Sequence, residues 1–442
     1  MRGGAFLAVF IAALTPFLVI FLLVFGSTQG FVAWRPPVLW TAEFGDPNLA
    51  SGSSSIATSN DGVYVAGVVN YTISFPGYNA TFIPFLSKYK ADGSVAWTDT
   101  IKKISQFTFT EIAGGIDGVY GLGGASKNAS LLKYDLNGNQ LWVRTLNRGV
   151  ILSAISSSAD GFYVAGSSDR PMTNQNFTGS NILFLRRYDS SGSLVWTDEF
   201  SNSSDYVLGL YAGASGVFVL TSLSIVGYSP AGLELWRRQV GAPQTIAPLS
   251  ISADATGIYL ADTVSQCGIC PQAAFLSKYN FSGNLVWNVT FENPDRSEPA
   301  GILLAADSSG VLLSTSGSNG FVEKYDGNGN SVWSMKTPLF PLAGLTSRSN
   351  FLISAGSGQF YIGGSVKASQ GDVGLVQSFG SSPSLVFFGV NPPISFALFG
   401  TLIAVAVLSV FLLWRRRVRI MSKHPKSAAP DRYRKPGDTI AD

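Results

Sequence analysis

Apolar and polar residues alternate in short runs along most of this chain, as in Phe85-Leu86-Ser87-Lys88-Tyr89 and Ser193-Leu194-Val195-Trp196-Thr197. A period of two places successive side chains on opposite faces of a strand. No sustained 3.6-residue pattern interrupts these runs between residues 38 and 389. The alternation itself repeats. Tyr-x3-Gly-x3-Trp occurs six times, as Tyr89/Gly93/Trp97, Tyr134/Gly138/Trp142, Tyr188/Gly192/Trp196, Tyr228/Gly232/Trp236, Tyr279/Gly283/Trp287 and Tyr325/Gly329/Trp333. A seventh, eroded copy reads Phe379/Pro383/Phe387. Each copy predicts a hairpin whose turn, such as Asp135-Leu136-Asn137-Gly138-Asn139, needs Gly for positive φ.

Upstream of each hairpin stands Gly followed by apolar residues, as in Gly62-Val63-Tyr64 and Gly161-Phe162-Tyr163. Before that comes a run of small and apolar residues such as Ser55-Ile56-Ala57. Each unit therefore supplies four strands, A to D. The Trp positions 40, 97, 142, 196, 236, 287 and 333 lie 40 to 57 residues apart. Four strands in that length make one propeller blade. The expected fold is all-β: a seven-bladed β-propeller over 38–389, with Trp40, Trp97, Trp142, Trp196, Trp236, Trp287 and Trp333 as structural repeat residues packed between blades. Val38–Phe44 matches a strand D without its own A, B and C, and is expected to close the seventh blade, because an open ring leaves raw strand edges.

Two uncharged apolar runs flank the repeats. Ala5–Phe25 marks 1–26 as a signal peptide or a retained signal anchor, followed by a linker at 27–37. Ile394–Trp414, with Arg415-Arg416-Arg417 directly after it, marks 390–414 as a transmembrane helix and 415–442 as a basic cytoplasmic tail. The tail carries a net charge of +6 and the residues between Arg2 and the tail a net of −4, so the overall +3 reflects a juxtamembrane cluster rather than a nucleic-acid surface. The propeller is expected outside the cell, held to membrane lipid by the C-terminal helix.

An outside location permits N-glycosylation at the sequons Asn70, Asn79, Asn128, Asn176, Asn202, Asn280 and Asn288. It also favours a loop-clipping disulfide between Cys267 and Cys270 over a redox or zinc motif, since the sole His, His424, lies in the tail. With no His between 27 and 393, Ser-His-Asp and Cys-His chemistry as usually built is excluded. Carboxylates remain: Asp99, Glu111, Asp198, Glu199, Asp205 and Glu292 are scattered and form no catalytic constellation. The turns at Asp135 and Asp326 faintly resemble calcium loops but place Gly too early and lack the closing Glu. No cofactor or metal site is expected.

The Tyr-Asp-x-x-Gly-Asn-x-x-Trp hairpins preceded by Gly-Val-Tyr-Val-Ala-Gly resemble the β-propeller repeats of prokaryotic surface proteins (the SBBP-type repeat), and are more distantly similar to the pyrroloquinoline-quinone-type repeat. The resemblance covers about 38–389 and implies a propeller used for binding or scaffolding; the quinoprotein ligands have no match here. The expected function is a membrane-anchored cell-surface binding or adhesion module for an extracellular protein or glycan. The alternatives are an extracellular polysaccharide-acting enzyme and a transmembrane sensor with a cytoplasmic partner. A–B and C–D turns share one face of a propeller. The uniform C–D turns, and the entry and exit of the chain, put the membrane on that side. B–C separations from Gly to Tyr vary as 27, 16, 27, 12, 22 and 15 residues, so binding is expected on the B–C/D–A face, with excursions near Asn70–Phe82, Asp169–Asn181 and Val264–Ala274.

Overall fold

The computed structural model describes residues 32–46, 48–74, 79–101, 107–125, 128–146, 149–172, 181–201, 205–240, 246–264, 273–291, 302–315, 321–336, 352–356, 358–367, 372–381 and 384–387. Two compact units divide the chain. Trp34–Ser384 forms one; residues 1–33 and 385–442 form the other. Both apolar runs, Ala5–Phe25 and Ile394–Trp414, and the basic tail lie outside the described residues. Among the described residues no helix is long and apolar enough to cross a membrane.

Trp34–Ser384 carries seven four-stranded antiparallel sheets, which are the blades of a seven-bladed propeller. Blade 1 runs Ala50–Ser59, Gly62–Ser74, Asn79–Lys90 and Val95–Thr100, its strands A to D in spatial order. Blades 2 to 6 repeat the order. Blade 7 takes A, B and C from Leu352–Gly356, Gln359–Lys367 and Asp372–Gly380, and its strand D from Val38–Phe44. The register Val38↔Phe379 to Phe44↔Gly374 thus closes the ring. Gly380 donates its N–H to Pro37 O, so the chain enters and leaves this sheet at one end. Ser384–Phe387 pairs with Val32–Arg35 instead of extending blade 7.

Strands A touch their neighbours around the whole ring, blade 7 meeting blade 1. In blades 1 to 5 the A–B register breaks at one equivalent place, at Ser53/Ser55, Phe109/Glu111, Leu152/Ala154, Val207/Gly209 and Pro248/Ser250. Such a bulge re-aims the following side chain. Ser55, Glu111 and Ser250 use it to accept the backbone N–H of Ile112, Ile155 and Leu304 in the next blade at 2.9, 2.9 and 3.1 Å. Polar side chains of strand A thus satisfy backbone groups that a propeller's innermost edge would otherwise leave without partners.

The core consists of hydrophobic wedges, one between each pair of adjacent blades. Tyr64 and Leu86 of blade 1, for example, meet Phe107, Phe109 and Leu132 of blade 2. Across the closing seam, Trp40, Ala42 and Phe44 pack on Val63, Val65 and Phe85. The repeat Trp residues bridge these junctions. Each of six indoles lies against the turn glycine of the next blade: Trp40 on Gly93, Trp97 on Gly138, Trp142 on Gly192, Trp196 on Gly232, Trp236 on Gly283 and Trp287 on Gly329. In five of these pairs the indole N–H donates to a carbonyl of that same turn, as Trp40 does to Ala91 O at 2.8 Å and Trp97 to Leu136 O at 3.0 Å. The rings are half-buried rather than enclosed, because the outer edge of each wedge opens to solvent; Trp333, stacked on Phe360, is buried.

The turn glycine therefore carries two constraints. At Gly138, φ is +87° and an added Cβ would lie 2.6 Å from the Trp97 ring. At Gly358, φ is +75° but the nearest heavy atom, Ser381 Oγ, is 4.0 Å away. Gly358→Ala is expected to lose only the left-handed backbone term of roughly 1–2 kcal/mol. Gly138→Ala adds an overpacking term and should lose about 2–4 kcal/mol. Urea melts of the two variants measure the difference; equal losses would mean that the indole contact adds nothing.

Candidate functional site

The two faces of the ring are built differently. On the A–B/C–D face the turns are uniform. Asp135 accepts the N–H groups of Asn137 and Asn139 at 2.9 and 2.8 Å, and Asp326 accepts those of Asn328 and Asn330 at 2.9 Å each. Those carboxylates are occupied by their own turns, which accounts for the calcium-like residue pattern. Beneath this face lies a repeated cation. Lys88, Lys133, Lys278 and Lys324, each preceding the repeat Tyr, are buried. Lys88, Lys133 and Lys324 pair with Asp61, Asp117 and Asp307 near the A–B turns, and Lys133 Nζ sits 3.7 Å above the Tyr120 ring. Arg187 pairs likewise with Asp160, while Lys278 donates to Thr256 Oγ1 and Gly327 O at 2.7 and 3.1 Å. Burial pushes the Lys133 ammonium below its ordinary range, and the bond to Asp117 opposes this; the bond from Lys88 holds Asp61 low. The sequence reading missed this layer, though a basic residue before Tyr and Asp before the strand-B Gly recur in the repeat.

The B–C/D–A face carries the variation. Residues 47, 102–106, 147–148, 202–204, 241–245, 292–301 and 337–351 of its D–A connections lie outside the described residues, as do 173–180 and 265–272 of the long B–C connections. Cys267, Cys270, Asn176, Asn202 and Glu292 fall in these ranges. In blade 1 the expected excursion near Asn70–Phe82 is instead a continuation of the hairpin. Strands B and C run on to Ser74 and Asn79, pairing Thr72↔Thr81 and Ser74↔Asn79. The break between Val69 and Thr72 holds Asn70 at φ 57°, with its N–H donated to Ser51 Oγ. A residue with local turn tendency thus becomes a bulge because alternating residues continue beyond it. Asn128 opens strand C of blade 2. Asn280 sits in a C–D turn, where its side-chain oxygen accepts the N–H groups of Ser282 and Asn284. Asn288 is exposed on strand D of blade 5, its Nδ2 donating to Ser277 Oγ.

The carboxylates do not converge. Asp99 and Asp198, each two residues after a repeat Trp, accept the hydroxyls of Tyr134 and Tyr228 of the next blade at 2.8 and 2.9 Å. Burial, reinforced by these aspartates, pushes both phenols well above their ordinary range. Glu111 belongs to the strand-A bulge series, and burial pushes its carboxyl up to about 7 against the stabilising Ile155 N–H. Glu199 accepts the N–H of Met172, and Asp205 accepts Tyr206 N–H and Ser222 Oγ–H. No group of three or more His, Cys, Asp or Glu poised to hold a metal occurs among the described residues.

No family model matches the chain. No curated protein matches it either. Solved structures to which it is similar include BamB from Moraxella catarrhalis, 12% identical over 78% of this chain and 99% of that one, with a TM-score of 0.42. The WD40 domain of Toxoplasma gondii coronin is 10% identical over 82% and 92% of the two chains, TM-score 0.48. The β-propeller domain of the trilobed protease of Pyrococcus furiosus is 7% identical over 77% and 96%, TM-score 0.45. Likeness at this level carries nothing about function. The propeller stands on its own strand pairing, and the SBBP-type resemblance rests on the hairpin residues alone.

One further carboxylate on this side was not singled out by sequence. Asp262 follows Ile258 and Leu260 on the strand face turned toward blade 4; it is buried, and its Oδ1 has no hydrogen-bond partner among the described residues. Burial pushes it up to about 6 from an ordinary 3.8. The folded state therefore holds this proton more tightly than the unfolded chain. Stability is lowered above about pH 6 and recovers as pH falls toward 4. Asp262→Asn is expected to raise the melting temperature at pH 8, with the gain shrinking toward pH 4. Coincident melts at pH 8 would show that the carboxylate is not desolvated in solution.

Proposed function

We propose that this protein is a binding or scaffolding module of the SBBP-type surface class: a propeller outside the cell, tethered through the 394–414 run, that presents its B–C/D–A face to an extracellular protein or glycan. One observation carries the reading. A ring closed by pairing and by interlocked indoles keeps one face uniform and concentrates its variation in length on the other. Rigid scaffolds place recognition in such loops. The separate carboxylate roles favour binding over polysaccharide cleavage, which calls for two carboxylates flanking one bond. In this proposal Cys267 and Cys270 form a clip in a binding loop, and the sequons on that face limit how much of it a partner covers.

The test uses the full chain in lipid nanodiscs on glycan and surface-protein arrays. A variant replaces residues 173–180 and 265–272 by Gly-Ser turns and cuts the blade 1 hairpin back at Val69. Partner binding is expected to vanish while the melting temperature changes little. Undiminished binding by the variant would defeat the proposal. Release of the chain from membranes by alkaline carbonate would defeat the tether separately.

A further inference from the structure

The wedge between blades 2 and 3 opens on the B–C/D–A side as a cavity of about 300 Å³. Leu146, Val150 and Met172 give it apolar walls, and Ser168, Arg170 and Arg186 line its polar part. The two guanidinium groups differ. Arg170 is well exposed and already paired with Asp169 at 2.9 Å. Arg186 is half-buried, lies over the buried Phe184 ring at 5.4 Å and donates only Nε, to Thr197 Oγ1 at 3.1 Å. It makes no ion pair among the described residues; Glu199, on the neighbouring strand, spends Oε1 on the Met172 N–H. Arg186 also breaks the repeat. The position two before the repeat aromatic is Ser87, Leu132, Val226, Ser277, Glu323 or Gln377 in the other blades. The inter-blade wedge needs no cation at this position.

A guanidinium with free Nη groups, backed by an aromatic ring and flanked by aliphatic walls, matches a carboxylate joined to a short apolar body. The volume is at the lower end for small-ligand pockets. We propose that this cavity binds an aliphatic carboxylate, of the kind a peptide presents at a C-terminal Leu or Val, with Arg186 holding the carboxylate and Leu146, Val150 and Met172 the side chain. This rests on the B–C/D–A face being the binding face, but it is tested without any partner.

The probes are N-acetyl-leucine, its neutral analogue N-acetyl-leucinamide, and glucuronate, titrated calorimetrically into the full chain in nanodiscs. N-acetyl-leucine should bind saturably, and the amide at least tenfold more weakly. Arg186→Gln should weaken N-acetyl-leucine at least tenfold, and Arg170→Gln about threefold or less. Leu146→Glu, which sets an internal carboxylate in the cavity, should abolish probe binding and guards against a folding defect in the Arg186 variant. Equal affinity for acid and amide, no loss in Arg186→Gln, or no saturable binding overturns the proposal. Tighter binding of glucuronate than of N-acetyl-leucine overturns the aliphatic assignment. Absence of probe binding beside loop-dependent partner binding would remove this site and leave the binding face standing.

Discussion

The seat of each indole on the next blade's turn glycine is the contact on which the ring depends. A blade alone is a twisted four-stranded sheet with two apolar faces, and its stability comes from neighbours on both sides. Five of the six indoles couple them twice, by packing against Gly and by donating Nε1–H to a carbonyl of the same turn, while Trp142 contributes the packing against Gly192. Both partners are backbone-determined, so the contact also fixes the angle between blades. Between blades 6 and 7 the device lapses. Blade 7 takes its strand D from Val38–Phe44, so no C–D hairpin turn of that blade faces Trp333, which stacks on Phe360 with no partner for its Nε1 among the described residues. There the Trp333 ring stacks on Phe360 at a centroid distance of 5.5 Å, within an apolar wedge that includes Ala305, Leu312, Ile362 and Leu375.

The closing seam follows the same rule with residues from opposite ends of the unit. Trp40 comes from Val38–Phe44, pairs with blade 7 and locks onto Gly93 of blade 1. Closure therefore needs contacts hundreds of residues apart, such as the Thr58 hydroxyl donated to Ala355 O. Such a contact carries a loop-closure cost that local hairpins avoid. The seam offsets it by adding ladder bonds, an indole lock and an apolar wedge together.

Much of this was legible in residue order because it repeats. Tyr, Gly and Trp at fixed offsets gave the hairpin, and spacing between Trp residues gave the blade. The reason for Gly was only half visible: positive φ is a local property, whereas the indole that excludes a Cβ comes from the preceding blade, 41 residues earlier for Gly138 and Trp97. The buried cations were hidden for a different reason. Lys88 or Lys133 in an alternating strand reads as a solvated residue, and only the fold brings Asp61 or Asp117 and a Tyr ring to its ammonium. Burial of such a charge is tolerated because the partner is supplied by the repeat itself. The 27-residue Gly-to-Tyr spacing of blade 1 reads as an excursion near Asn70–Phe82, whereas length alone does not distinguish a loop from a longer hairpin, and the pairing Thr72↔Thr81 to Ser74↔Asn79 makes it the latter.

A periodic scaffold also changes where functional information resides. Residues that recur in every blade are explained by blade geometry, as the Tyr hydroxyls on Asp99 and Asp198 illustrate. Chemistry specific to this protein must then lie in positions that depart from the period. Two departures stand out near the variable face. Asp262 is a carboxylate on an apolar wedge face with no partner on Oδ1 among the described residues, and Arg186 is a guanidinium at an offset that is otherwise neutral or acidic. Neither strengthens its wedge: a desolvated carboxylate lowers stability at neutral pH, and a cation over Phe184 contributes less than an aliphatic side chain filling the same gap. Residues that weaken their own scaffold at positions where the repeat offers a better choice are where a ligand has most to gain from the site.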